Sequence, residues 1–223
     1  MGPEATIDLF AKIVRSTKAS RDQDHLRIIV DNNPKIPDRQ KAILGGGPSP
    51  LPFLVKTARN LEAAGADFIV MPCNTAHYWI EEMRKSVRIP IVDMIKETAE
   101  EIAKSYPSLR TVGILAATGT VQSGLYQRHL NRVGIKSVTP SNEDQMALMQ
   151  VIYSVKAGDL LRCSAAAVQV GRRTVDAGAE VVIAGCTEIP LVLTPGDLPV
   201  PLVDATQVLA ARTIEIAQGS LSL

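Results

Sequence analysis

A gapless internal repeat constrains this chain more than any other feature. GADFIVMPCNTA at 65–76 aligns residue for residue on GAEVVIAGCTEI at 178–189. Each block runs Gly-Ala-acid, then an apolar stretch, then a cysteine eight residues after the glycine. Downstream, RIPIVDMI (88–95) matches VPLVDATQ (200–207), each a short apolar segment ending in Asp. Two agreements in the same order point to duplicated halves. An unbroken apolar run between turn signals is how a strand buried on both faces reads.

Periodicity along the chain supports the same architecture. Helical spacing of apolar residues covers 5–15, 50–64, 93–105, 124–133, 142–157, 161–177 and 204–218, and strand-like runs cover 26–30, 68–71, 89–92, 111–115, 136–138, 181–184 and 200–203. Strands alternating with helices of these lengths imply an α/β fold. The expectation is two pseudo-symmetric, doubly wound parallel-sheet domains. The first spans 1–96 and the second 97–203, with a terminal helix over 204–223 packing back on the first.

The repeat also exposes an asymmetry. The second half opens with a strand, TVGILAA (111–117), followed by TGTVQSGLYQRHL. The first half opens at MGPEATIDLFAKIV, which lines up with the loop and helix but has no strand ahead of it. The first strand of the first domain is therefore expected to be absent from the chain, leaving an interior position of a sheet to be accounted for.

Composition narrows the function classes. Lys and Arg number 24 against 23 Asp and Glu, a formal net charge of +1. That argues against a nucleic-acid surface or a polybasic membrane contact. No apolar stretch is long enough to span a bilayer, and MGPEATIDLF lacks the basic and apolar regions of a signal peptide. Three cysteines make an odd count, which suits reduced thiols in the cytoplasm better than a disulfide framework. Aromatics are scarce at 4%, so the core is expected to be Val, Ile, Leu and Ala.

In open α/β sheets, ligands bind beyond the carboxyl ends of the strands. Cys73 and Cys186 both sit there, each expected at the start of the next segment. Backbone N–H groups and a helix dipole at that point favour a thiolate and can hold a carboxylate. Asn74-Thr75 and Thr187-Glu188 follow directly. If the halves face each other about a pseudo-twofold axis, the two sulfurs address one cleft from opposite sides. One thiolate can then remove a proton from a stereocentre while the other, as thiol, returns one to the opposite face. A cysteine pKa near neutrality would let either partner take either role. Racemisation needs that symmetry.

Plainer readings stand beside this one. A single strand-end cysteine is often a small buried hydrophobe, and Cys163, among Ala and Ser in an amphipathic helix, reads as core. Cys73 and His77, at i, i+4, could form a nucleophile–base pair or two ligands of a zinc site, though two ligands fall short of one. Asp93 and Asp204, matched in the repeat, read as helix caps.

The segments MGPEAT, NNPKIPDR, GADFIVMPCNTAH, ATGT, YSVKAGDL and GCTEIP together resemble the cofactor-independent aspartate/glutamate racemases, and most closely the aspartate racemases among them. The resemblance implies two similar α/β domains with the active site between them, Cys73 and Cys186 as acid and base, no pyridoxal phosphate or other cofactor, no metal, and a homodimer. It further implies that Asn74 and Thr75, with Thr118, Gly119 and Thr120 of the other half, hold the α-carboxylate and ammonium of an amino acid. Thr6 lies on the equivalent loop of the first half, opposite Ser123. Arg39 and Lys156 would bind the side-chain carboxylate, with Thr187 and Glu188 completing the substrate contacts. Members specific for glutamate usually carry His after GCT; Glu188 in that place favours aspartate or a broader acidic specificity. Members also usually begin with a strand and a GGM turn, whereas this chain starts at that Met. The alternatives within the same resemblance are an isomerase or decarboxylase of small dicarboxylic acids, or a carboxylate-binding protein with little activity.

Overall fold

Ala5, Leu9 and Ile13, four residues apart, are the buried face of the first helix, α1 (Pro3–Ser16), as i, i+4 spacing on one helix face requires. The computed structural model describes residues 2–159 and 163–221. It divides into two compact units, one of residues 1–97 with 206–223, the other of 98–205.

The first unit continues with α2 (Arg39–Ile43), α3 (Leu51–Ala63), α4 (Ile80–Arg84) and the start of α5 (Met94–Ser105). Asp38 caps α2 by accepting the Gln40 and Lys41 N–H groups. Asp93 caps α5, its Oδ1 accepting from Ile95 N–H at 3.0 Å and Lys96 N–H at 3.1 Å, the satisfaction of otherwise orphaned donors that a cap provides. The core of this unit joins Ile36, Leu54, Ile69, Met71, Trp79, Met83 and Ile91.

The second unit holds β1 (Thr111–Ala116), α6 (Thr118–Gln122), α7 (Leu125–Arg132), β2 (Lys136–Val138), α8 (Asn142–Lys156), α9 (Cys163–Asp176), β3 (Val181–Gly185) and β4 (Leu202–Asp204). Leu161 and Arg162, where the helical periodicity ahead of α9 begins, lie outside the described residues. The four strands form one parallel sheet in the order β2-β1-β3-β4. All of β3 and all but the first residue of β1 are buried, without alternation, as strands covered on both faces should be. Leu148, Ile152 and Val155 of α8 and Ala167 and Val170 of α9 pack against Leu115, Val182 and Ala184. The last helix, α10 (Ala205–Ala217), returns to the first unit, where Arg212 pairs with Glu97 at 3.1 Å and Gln207 donates to the Ser16 hydroxyl at 3.2 Å.

The repeat has a physical cause visible in each unit. Gly65 and Gly178 both adopt positive φ, +87° and +102°, directly after α3 and α9. In each, the glycine N–H bonds back to Glu62 O or Val175 O and the next alanine N–H to Leu61 O or Thr174 O. This is the left-handed helix stop that glycine makes without steric cost. Further on, Ile69 N–H donates to Pro90 O at 2.9 Å, and Val182 N–H donates to Pro201 O at 2.9 Å. The matched blocks are thus a helix stop followed by an extended segment docked at one register, a full strand in the second unit and a single bridge in the first.

The first unit departs from expectation in its strands. Among its described residues the strand pairing reduces to one parallel bridge, Ile69–Ile91, and residues 26–30 belong to no strand. A strand is a property of a pair. In the second unit β2 exists because β1 lies beside it. In the first unit Ile28–Val30 and Ile69–Met71 face a common cavity of about 100 Å³, and residues 26–29 with 65–70 line a second of about 520 Å³.

Candidate functional site

In the second unit, the chain leaves β1 for β2 on one side and then builds β3 and β4 on the other. The switch point, where open α/β sheets bind ligands, therefore lies beyond the carboxyl ends of β1 and β3, whose last residues, Ala116 and Gly185, are paired. Thr118 follows one strand and Cys186 the other. Gly185 sits in a crowded place at this point: a Cβ there would meet the Tyr126 ring at 3.0 Å, the Ala116 Cβ at 3.1 Å and Leu115 O at 3.2 Å.

Cys186, Thr187 and Glu188 are all buried. The Cys186 thiol donates to Glu188 Oε2 at 2.9 Å, and the Thr187 hydroxyl donates to the same oxygen at 3.2 Å. Lys156, the last residue of α8, brings its Nζ to 3.9 Å from the other carboxylate oxygen. Burial first, and then the Glu188 charge, push the Cys186 thiol well above its ordinary pKa, and Lys156 offsets part of that. This corrects the expectation of a strand-end thiol near neutrality. The residues after Cys186 form only a short 3-10 turn, Ile189–Leu191, too short for an appreciable dipole, and the nearest charge is a carboxylate.

Thr118, Gly119 and Thr120 form the first turn of α6, with the last two buried. Two contacts from α8 hold this turn and were not legible beforehand. Gln145 Nε2 donates to Ala116 O at 3.0 Å and to Thr118 Oγ1 at 3.2 Å, and the Thr118 N–H points at Met149 Sδ, 3.3 Å away. Gln145 and Met149 are one turn apart on a helix about thirty residues down the chain, and nothing in the spacing of polar residues marks them.

In the first unit, Cys73 is half-buried, in extended backbone just before a 3-10 helix, Asn74–Trp79, in which Asn74 and Thr75 are buried. His77 does not serve the thiol. Its Nδ1 lies 2.9 Å from the Cys73 carbonyl oxygen and its Nε2 accepts the Met94 N–H at 3.2 Å, which makes it a neutral ring with the proton on Nδ1. Burial holds its pKa below the ordinary value, although the nearby Asp93 works the other way. With both nitrogens bonded to backbone, the ring is neither a base for Cys73 nor a zinc ligand in this arrangement. Thr6 lies in the first turn of α1 rather than on a loop, and its hydroxyl donates to Asn32 Oδ1 at 2.9 Å, joining MGPEAT to NNPKIPDR. Thr6, Asn32, Met71 and Pro72 line one cavity. Arg39 is the first residue of α2, and its Nη1 donates to the carbonyls of Ile36 at 3.2 Å and Pro37 at 3.1 Å. Cys163 is buried in its helix, its thiol 2.9 Å from Asp159 O. No helix among the described residues is long and apolar enough to cross a membrane.

Comparison with known proteins converges on one group. The family model described as Asp/Glu/Hydantoin racemase matches residues 1–213. The chain is 30% identical, over 96% of its length and 93% of the relative's, to a broad-specificity amino-acid racemase of Bacillus subtilis (strain 168). Among solved structures it resembles an aspartate racemase of Picrophilus torridus at TM-score 0.87, with 32% identity and 97% and 90% of the two chains covered. It also resembles an aspartate racemase homologue from Pyrococcus horikoshii at TM-score 0.76, with 26% identity and 97% and 95% covered.

Proposed function

The chain belongs to the Asp/Glu/Hydantoin racemase family, and we propose that it interconverts L- and D-aspartate by a two-base reaction in which Cys73 and Cys186 act on opposite faces of the α-carbon. One observation carries the reading. Each cysteine stands four residues beyond the residue, Ile69 or Val182, whose N–H docks its extended segment on Pro90 or Pro201. A duplicated half-site with a thiol at the same structural position is what a reaction symmetric about a stereocentre requires.

In this reading a thiolate takes the α-proton, the C–H electron pair stays on the carbon, and the opposing thiol supplies a proton to the other face. The chemistry needs no pyridoxal phosphate. Asn74 and Thr75, with Thr118, Gly119 and Thr120, hold the α-carboxylate and ammonium, while Arg39 and Lys156 take the side-chain carboxylate, with Thr6, Thr187 and Glu188 as further contacts. Aspartate is preferred to glutamate because, in the resemblance, Glu188 stands where glutamate-specific members usually carry His, and because a structural relative named as an aspartate racemase aligns over nearly the whole chain. The reading includes a homodimer in the cytoplasm, which suits a chain whose three cysteines are free.

Incubation with L-aspartate in D2O, without added cofactor, should exchange the α-hydrogen and form the D enantiomer. Cys73→Ala and Cys186→Ala should each slow racemisation by about 10²–10⁴-fold. Full activity in either variant would eliminate the two-base reading, and turnover of glutamate in preference to aspartate would reassign the substrate.

A further inference from the structure

Cys186 and Glu188 share one buried hydrogen bond, Sγ to Oε2 at 2.9 Å, and each residue is 7% exposed. The Thr187 hydroxyl donates to the same oxygen at 3.2 Å, and Lys156 Nζ lies 3.9 Å from Oε1. The thiol proton is thus spent on a carboxylate. Deprotonating Cys186 where it stands would remove that donor and leave two anionic atoms in contact, in a buried site where like charges are poorly screened. The charged groups acting on the sulfur are Glu188, from its own segment, and Lys156, from α8. The ammonium offsets one negative charge, and Glu188 already supplies it.

We propose that Glu188 is a positioning residue that locks Cys186 as a thiol, so that Cys186 enters the reaction as the proton donor and Cys73 as the base. The role as donor rests on the racemase reading; the lock is a property of the free protein. The Cα–H bond breaks, its proton forms an S–H bond on Cys73, and the electron pair remains on the carbon. That pair then takes the proton of Cys186, whose S–H bond breaks to leave a thiolate beside Glu188. The opposite enantiomer must start from this second, disfavoured arrangement, so the two enantiomers draw on different protonation forms of one enzyme. Burial and the Glu188 charge both raise the Cys186 pKa, in keeping with the lock.

The test needs no substrate. In a Cys73→Ser, Cys163→Ser background, Cys186 is the sole thiol, and its rate of alkylation by iodoacetamide, followed against pH, reports its thiolate fraction. Glu188→Gln keeps the size and a hydrogen-bonding group but removes the charge. The profile should move down by about one pH unit or more, and Glu188→Asp, which restores the charge, should return most of that shift. A profile that stays in place or moves up in Glu188→Gln overturns the proposal. If Glu188→Gln does not fold, Glu188→Ala carries the test: loss of the carboxylate should likewise move the profile down, and an unmoved or raised profile overturns the proposal. Failure of the racemase reading would show instead as absence of aspartate turnover by the unmodified protein.

Discussion

The Nε2 of His77 accepts the Met94 backbone N–H at 3.2 Å while its Nδ1 bonds the Cys73 carbonyl at 2.9 Å. A single neutral ring therefore ties the loop carrying Cys73 to the first turn of α5. Met94 is fully buried, and its amide, at a helix start, has no intrahelical partner. Histidine fits because one ring nitrogen donates and the other accepts.

Protonation of His77 should unfasten this tie. Its pKa in the folded protein lies below the ordinary 6.5, with burial as the main cause. The unfolded chain therefore binds the proton more readily, and stability rises with pH across the interval between the two values. The contribution is fully present above pH 6.5 and is lost as pH falls through the folded-state pKa. Urea denaturation between pH 5 and 8 should show this slope, and His77→Gln should flatten it. A variant with the same slope as the parent would assign the dependence to other groups. His77→Ala should also cost about 1–3 kcal/mol at pH 8, because the buried Met94 N–H loses this acceptor, whereas the Cys73 carbonyl keeps the Ala76 N–H.

Gly185→Ala tests how tightly the switch point is built. The added methyl would stand 3.0 Å from the Tyr126 ring and 3.1 Å from the Ala116 side chain, both in rigid surroundings, since Tyr126 is fully buried. Overpacking of this kind costs about 1–3 kcal/mol, and the displacement is passed directly to Cys186. Denaturant midpoints should fall, with aspartate racemisation falling further than the stability loss explains. An unchanged midpoint would mean that the strand end yields more easily than its contacts imply.

Much of this was legible in the residues, and the exceptions share a cause. The helices were readable because their apolar spacing is local: Ala5, Leu9 and Ile13 declare α1 without reference to anything else. The strands of the second unit were readable because Val181 to Gly185 is apolar throughout and its neighbours exist. Residues 26–30 are apolar as well, yet form no strand, because pairing belongs to two segments and cannot be read from one. The site divides the same way. The positions of Cys73 and Cys186 after matched apolar segments followed from the repeat. The thiol's bond to Glu188, and the bonding of Cys73 to His77 through its carbonyl rather than its sulfur, depend on turn geometry that spacing does not encode. Gln145 was invisible because its partners lie far away along the chain.

Gln145 offers a test of the α6 turn. Its Nε2 holds both Ala116 O and Thr118 Oγ1, so Gln145→Leu should leave a fully buried residue's carbonyl without this donor. Such a loss costs about 1–3 kcal/mol. If Thr118 to Thr120 bind the substrate's α-carboxylate or ammonium, KM for aspartate should rise several-fold while the rate of Cys186 alkylation stays near that of the parent. A change in kcat alone would place the turn outside substrate binding.

Lys156 is the residue where specificity and electrostatics meet. Its ammonium is partly exposed, lies 3.9 Å from Glu188 and sits 5.9 Å above the Tyr153 ring. If it holds a substrate's side-chain carboxylate, it must serve two anions, Glu188 and the ligand. Glu188 makes it neither a free cation nor an idle one. Lys156→Met should then weaken kcat/KM for aspartate by about tenfold or more, the scale of one charged hydrogen bond. It should affect an amino acid without a side-chain carboxylate, such as alanine, much less. Substituting Arg should rescue aspartate only in part, since a planar fork cannot reproduce a compact point charge. Equal losses for aspartate and alanine would show that Lys156 acts only through Glu188 and Cys186, and would leave Arg39 as the group to examine for recognition of the second carboxylate.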